Sequence, residues 1–249
     1  MAGEPLRVLV NGARGKMGRE TVSAVRAESD LVLAGETDLG DDLSRAISAS
    51  RAQVVVDFTR PDSAIPNTET ILRAGARPVV GTTGFLPPDI ERLAALAASL
   101  GSGGLIAPNF AIGAVLLMKF AAQAARYFPS VEVIELHHDQ KLDAPSGTAL
   151  KTVELMRSAG GPEPPVNASE KETVTGARGG RYLGVPVHSV RLPGFVAHEE
   201  VIFGGVGQVL TLRHDSLSRS SFMPGVILAV RKAPALKKLH YGLETILDL

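Results

Sequence analysis

Between Glu132 and Ala149 the chain reads EVIELHHDQKLDAPSGTA, a dense run of side chains able to move protons or hold anions. His137 and His138 bring imidazoles that change charge near neutral pH, and Lys141 brings either a proton or a cation for a carboxylate. Ser146, Gly147 and Thr148 stand where a helix is expected to begin, so first-turn N–H groups and hydroxyls there make an anion site. Two anion-receiving features in one loop suit a small dicarboxylate. Each feature alone has an ordinary explanation, as a solvated histidine pair, a surface lysine or a helix cap. Their convergence within a few residues favours chemistry. A metal centre is not expected, because adjacent histidines point to opposite sides of a strand and the chain has no cysteine.

A second run, Gly12-Ala13-Arg14-Gly15-Lys16-Met17-Gly18, spaces glycines as GxxGxxG directly after an apolar run that ends at Val10. Between a strand and a helix, such glycines let backbone N–H groups approach a pyrophosphate at the positive end of the helix dipole. Glu36, read as the end of the second strand, is placed to accept hydrogen bonds from adenosine ribose hydroxyls. Arg14 and Lys16 are placed to pair with a 2′-phosphate, so both NADH and NADPH are expected as cofactors. Gly81-Thr82-Thr83, Asp57-Phe58-Thr59 and Ala107-Pro108-Asn109-Phe110 follow further strands, at the edge where parallel sheets bind ligands.

The elements that must position these residues alternate in the first part of the chain. Strands are expected at 6–10, 31–36, 54–58, 79–81 and 105–106, with helices at 16–28, 42–49, 63–74 and 87–100. That rhythm predicts an α/β, Rossmann-like doubly wound parallel sheet over residues 1–109. Beyond it, helices at 112–125 and 147–159 and strands at 131–137, 187–192, 196–203 and 208–214 predict a second α+β domain with a mixed sheet, spanning 110–218. Residues 219–249 are expected as C-terminal helices returning to the first domain. The Gly- and Pro-rich segment from Gly160 to Gly184 reads as a loop, and Arg178 and Arg181 among its last glycines suggest a substrate-linked lid over 176–184.

Composition excludes other classes. Lys plus Arg and Asp plus Glu balance at 26 each, so no global field recruits nucleic acid or an anionic membrane. No apolar stretch approaches the roughly 20 residues of a membrane span, and the N-terminus lacks the pattern of a secretory signal. With no cysteine and no such signal, the cytoplasm is the expected compartment.

The pattern E-x-x-E-x-H-x-x-x-K-x-D-x-P-S-G-T-A from Glu132 to Ala149 resembles the signature of the 4-hydroxy-tetrahydrodipicolinate reductase family, also called dihydrodipicolinate reductases. Further segments resemble that family in the same order: GARGKMGR at 12–19, DFTRP at 57–61, GTTGF at 81–85, APNFAIG at 107–113 and SLSRSSFMPG at 216–225. The resemblance implies NAD(P)H-dependent reduction of 4-hydroxy-tetrahydrodipicolinate to tetrahydrodipicolinate with loss of water, in diaminopimelate and lysine biosynthesis. It also implies a substrate-binding and oligomerisation domain whose sheet builds a homotetramer, and a hinge that closes on substrate. By matching positions, His137 is implied as the acid/base residue, Lys141 as the proton donor, and His138, Gly147 and Thr148 as substrate contacts. Cofactor contacts fall on Gly12 to Met17, Glu36, Gly81 to Thr83 and Ala107 to Phe110. Some members of the family carry an arginine directly after the ribose-binding acid where this chain has Thr37, which leaves tolerance of a 2′-phosphate to Arg14 and Lys16. Two rival readings are a related dehydrogenase of another amino or imino acid and a non-catalytic nucleotide sensor; a sensor has no need of a proton donor, which favours the enzyme.

Overall fold

Strands that are apolar at every position need cover on both faces, and parallel sheets flanked by helices provide it. Val8, Leu9 and Val10, and likewise Val54, Val55 and Val56, are fully buried. The computed structural model describes residues 4–161, 163, 169 and 171–247, and the chain divides into two units, 1–112 with 222–249 and 113–221.

In the first unit β1 (Leu6–Asn11), β2 (Leu31–Thr37), β3 (Val54–Asp57), β4 (Arg77–Val80) and β5 (Gly104–Ile106) alternate with α1 (Lys16–Ala27), α2 (Leu43–Ser50), α3 (Pro61–Arg73) and α4 (Pro87–Ser99). The strands pair in parallel in the order β5-β4-β3-β1-β2. Because β1 is followed on one side by β2 and on the other by β3, the order reverses between β1 and β3. The crevice beyond the carboxyl ends of these two strands is therefore the ligand position of this topology. Helix α3 starts two residues before the expected Ser63, since Pro61 brings a preset φ to a first-turn position that needs no N–H partner.

The second unit holds α5 (Ile112–Ala124), β6 (Ser130–His137), α6 (Gly147–Ser158), β7 (Gly180–Tyr182), β8 (Val185–Arg191), β9 (Ala197–Gly205) and β10 (Gln208–Ser216). They form a mixed sheet in the order β10-β9-β6-β8-β7, with only β6 and β8 parallel. Val131, Val133, Val187, Val201 and Phe203 turn to one face, where Leu117 and Ala121 of α5 and Val153 and Met156 of α6 cover them. Strand alternation puts Glu132, Ile134, Glu200 and Ile202 on the other face, where each stays partly exposed.

Three sequence expectations change here. Part of the segment read as a loop from Gly160 to Gly184 lies outside the described residues, and its last part is not a loop, because Gly180–Tyr182 pairs with β8. The lid reading of 176–184 is corrected as well: Arg178 is ion-paired with Glu132 at 2.5 Å, on the sheet face opposite Glu135 and His137. Finally, the closing stretch contains α7 (Met223–Lys232) but also β11 (Leu239–Tyr241), which pairs in parallel with β5 and extends the first sheet to β11-β5-β4-β3-β1-β2. Three residues are too few to carry a period, and the pairing comes from the open edge of β5.

Candidate active site

In the first unit the chain turns sharply after β1. Gly12 has φ +81°, and a Cβ there would lie 2.6 Å from the Phe58 carbonyl oxygen. A Cβ on Gly18 would collide with the Gly12 carbonyl, so the first turn of α1 can close on the loop only with glycine there. Gly12 and Ala13 donate their N–H groups to the Thr37 carbonyl, which ties the loop to β2. The N-cap of helix α1 is Gly15, which has no side chain to cap it, leaving the first-turn donors to a ligand or solvent.

Behind the loop is a buried carboxylate. Asp57 accepts from Asn11 Nδ2 at 2.8 Å, Asn67 Nδ2 at 2.9 Å, Thr59 Oγ1 at 2.7 Å and Thr82 Oγ1 at 3.0 Å. Asn11 in turn accepts from Thr37 Oγ1 at 2.8 Å. This network locks the carboxyl ends of β1, β2 and β3 and the loop after β4 into one frame, and it occupies the Thr82 hydroxyl that was expected to face the cofactor. Phe58 packs edge-on to Phe110 with centroids 5.9 Å apart, and its ring fills the space where Gly81 lacks a side chain. The loops Gly12–Met17, Gly81–Thr83 and Ala107–Phe110 are thus gathered at one edge of the sheet. Within that edge lies a cleft of about 300 Å³ lined by Gly12, Gly15, Asp38, Leu39, Phe58 and Arg60, among others.

Glu36 is not in its lining. Strand β2 runs one residue further than expected, so Glu36 lies within the strand and its carboxylate pairs with Arg26 of α1 at 2.7 Å. The first residue past the strand, Asp38, lines the cleft and accepts the Arg14 N–H at 2.8 Å. The N–H groups of Leu39 and Arg14 hold its carboxyl below the ordinary range, against the opposing effect of burial.

In the second unit β6 delivers Glu135 and His137 to the face covered by α6, two residues apart and therefore on the same side. Glu135 is fully buried. Its oxygens meet His137 Nδ1 at 2.6 Å, Arg191 Nη1 at 2.9 Å, Arg191 Nη2 at 2.7 Å and the Ser146 N–H at 3.2 Å. Burial alone would raise its pKa, yet the bonds from His137, Arg191 and Ser189 outweigh burial and hold it down to about 2. A carboxylate that stays ionised fixes the imidazole tautomer: Nδ1 carries a hydrogen toward Glu135, and Nε2 is left for other chemistry.

The loop after β6 is folded back by the Lys141 N–H donating to the His138 carbonyl at 3.2 Å. Lys141 Nζ bonds both Asp143 oxygens, at 2.7 and 2.9 Å, and Arg191 Nη2 also donates to the Asp143 carbonyl at 2.7 Å. Ser146 is the N-cap of α6, its hydroxyl accepting from Ala149 N–H and its own N–H given to Glu135. Its N–H and one lone pair of its hydroxyl are therefore engaged within the protein, and the helix turn begun by Gly147 and Thr148 follows, with open space beside Gly147. Sequence reading singled out neither Arg191 nor Glu135 as an anchor. Glu135 was detectable from its i−2 spacing to His137, whereas Arg191, 56 residues from Glu135, gives no local signal. Among the described residues no group of three His, Asp or Glu side chains gathers as a metal site requires, and no helix is long and apolar enough to cross a membrane.

The family described as "Dihydrodipicolinate reductase, N-terminus" matches residues 6–110, and "Dihydrodipicolinate reductase, C-terminus" matches residues 113–247. The chain is 51% identical to a 4-hydroxy-tetrahydrodipicolinate reductase of Geobacillus kaustophilus, over 98% of this chain and 99% of that protein. It is 50% identical to one of Desulfitobacterium hafniense over the same shares. Among solved structures, a dipicolinate-bound dihydrodipicolinate reductase from Paenisporosarcina sp. TG-14 superposes with a TM-score of 0.89 at 43% identity, covering 98% of this chain and all of that one. An amine dehydrogenase from Mycobacterium smegmatis, TM-score 0.64 at 12% identity over 95% of this chain and 94% of that one, shares the fold alone. With both halves matched and relatives alike along their whole length, this chain belongs to the dihydrodipicolinate (4-hydroxy-tetrahydrodipicolinate) reductase family of oxidoreductases.

Proposed function

We propose that the protein reduces 4-hydroxy-tetrahydrodipicolinate to tetrahydrodipicolinate in the cytoplasm, consuming one NAD(P)H and one proton and releasing water, as a step toward diaminopimelate and lysine. The observation that carries this reading is the Glu135–His137–Arg191 cluster, set beside Lys141 and the Ser146-capped start of α6 in one loop. The glycine cradle, the uncapped start of α1 and the Asp38 carboxylate fit a dinucleotide: the first two receive a pyrophosphate, and Asp38, in place of Glu36, receives ribose hydroxyls. A bound nicotinamide supplies hydride to the electron-poor ring carbon. The protein's own groups do the rest. Gly147 and Thr148 hold a substrate carboxylate at the helix start, Lys141 Nζ or His137 Nε2 delivers a proton to the neighbouring carbon, and His138 contacts the substrate.

For the cofactor, Arg14 and Lys16 are both exposed at the loop and offer cations to a 2′-phosphate, while Asp38 favours a free ribose diol. Both NADH and NADPH are therefore used. Initial rates with substrate generated by the preceding synthase test the reaction and the cofactor together. Oxidation of either cofactor is expected, with a ratio of kcat/KM below about a thousandfold, roughly 4 kcal/mol; no oxidation of either removes the assigned reaction.

The assembly we propose is a homotetramer built through the uncovered face of the mixed sheet. Ile134 and Ile202 lie there between the ionic groups of Glu132 and Glu200, partly exposed, and a second copy of the chain supplies the missing cover. Ile202→Arg puts an unpaired charge at that position and is expected to yield a smaller species in light scattering. A tetramer unchanged by the substitution places the interface elsewhere.

A further inference from the structure

Glu199 of β9 lies directly across from Glu135 of β6 and from His214 of β10, so three ionisable side chains form one row on the face that α6 covers. It is 4% exposed. Cross-strand neighbours on one face sit roughly 5 Å apart at Cβ, yet the two carboxyl groups are treated very differently. Glu135 has the Arg191 guanidinium, His137 and two further donors. Among the described residues, the hydrogen bond that Glu199 makes is to Thr152 Oγ1, at 2.5 Å.

Counting protons settles which way that bond runs. Thr152 Oγ1 is also 3.0 Å from the Thr148 carbonyl oxygen, which can only accept. A hydroxyl has a single proton to give. Both bonds are made together only when Thr152 donates to Thr148 and accepts from Glu199, so the proton between Glu199 and Thr152 belongs to Glu199. We propose that Glu199 is a positioning residue for the substrate site, acting as a neutral acid whose proton orders a chain from Glu199 through Thr152 to the Thr148 carbonyl and so fixes the first turn of α6. This rests on the reading of that turn as the carboxylate site.

The surroundings agree. Burial pushes Glu199 up to about 7, and the neighbouring Glu135 carboxylate adds to the rise. The groups facing it are Glu135 from β6, His214 from β10 and Thr152 from α6, while Arg191 of β8 has both terminal nitrogens on Glu135. His214 is lowered from its ordinary value by burial, Asp215 opposing and His198 adding, so near neutral pH it faces Glu199 as uncharged imidazole. When Glu199 ionises, Thr152 must turn its proton to the carboxylate, the Thr148 carbonyl is left with its helix N–H alone, and a second anion appears beside Glu135. Dicarboxylate affinity then falls as pH rises through neutrality, and cofactor affinity does not.

The test follows two readings between about pH 6 and about pH 9: the KM of the substrate, and the calorimetric Kd of dipicolinate, which reads the site without turnover. In the wild-type enzyme both are expected to rise severalfold across this range. Glu199→Gln keeps a neutral donor and is expected to flatten that rise while leaving kcat within about twofold. Thr152→Ser should keep the wild-type pH response, whereas Thr152→Val should weaken binding at every pH and abolish the response. The threonine pair decides the matter if Glu199→Gln does not fold. The same pH response in Glu199→Gln as in wild type, or in Thr152→Val as in Thr152→Ser, overturns the role of Glu199 and leaves the assigned reaction standing. A wild-type enzyme that binds dipicolinate but never oxidises NAD(P)H overturns the reaction instead, with the binding curves still reporting on Glu199.

Discussion

Replacing His137 with Gln or Lys141 with Ala is expected to lower kcat by roughly two to four orders of magnitude, the usual scale for removing a general acid or base. Cofactor affinity should survive both changes, because the glycine loop and Asp38 belong to the other unit. The two variants should differ in kind. In His137→Gln the side chain can still donate an N–H to Glu135 but has no titratable Nε2, so the loss should fall on kcat more than on KM. In Lys141→Ala a proton and a cation disappear together, and KM should rise as well. Steady-state kinetics with cofactor binding followed by fluorescence checks both, and near-wild-type kcat in both variants would remove these residues from the chemistry.

The second large effect concerns the anchor under the site. Glu135→Ala leaves the largely buried Arg191 guanidinium without its carboxylate, a change that costs about 3–5 kcal/mol when one partner of a buried pair is removed. At this chain length that corresponds to a Tm lower by roughly 6–20 °C. The double variant Glu135→Leu with Arg191→Met should recover much of the stability, since replacing both charges with apolar groups is often near neutral, and should still be a poor catalyst because nothing orients His137. The pH dependence has a defined sign. The folded pKa of Glu135, about 2, lies below its ordinary value of 4.5, so its contribution is complete above 4.5 and is lost as pH falls through about 2. Acid unfolding of Glu135→Ala should lack that component. Equal Tm values for wild type and Glu135→Ala would contradict the anchoring role.

How much of this was legible beforehand depended on whether the signal was local. The alternation of apolar runs and helical segments up to Ile106 placed every strand of the first sheet except β11, whose three residues follow the edge of β5 rather than any pattern of their own. The loop proposed for catalysis stood out as a candidate because His137, Lys141, Gly147 and Thr148 sit close together along the chain. What was hidden is what holds that loop. Arg191 reaches Glu135 from another strand, and Glu199 meets Thr152 from 47 residues away, so no spacing rule announces either contact. Ser146 shows a type with two uses: its place pointed to a ligand, and its Oγ and N–H also serve a helix cap and Glu135. Glu36 failed by a single residue of strand length, which was enough to move the acid in the cleft to Asp38.

These contacts together describe a division of labour in the second unit. Glu135 fixes the imidazole and the N-cap of α6, Arg191 keeps Glu135 ionised and tethers Asp143, and Asp143 holds Lys141 in place. In the proposed reaction, proton delivery and carboxylate binding share one buried anchor, so damage at Glu135 should reach both.

The most direct test of the central claim follows the transferred atom. The preceding synthase's product is incubated with the enzyme and NADH or NADPH deuterated at the transferred position of nicotinamide C4, and the product is analysed by mass spectrometry. The account predicts tetrahydrodipicolinate carrying one deuterium at a ring carbon, formed in step with cofactor oxidation and loss of the hydroxyl as water. Product without deuterium, or cofactor oxidation with no change in the ring, would contradict it.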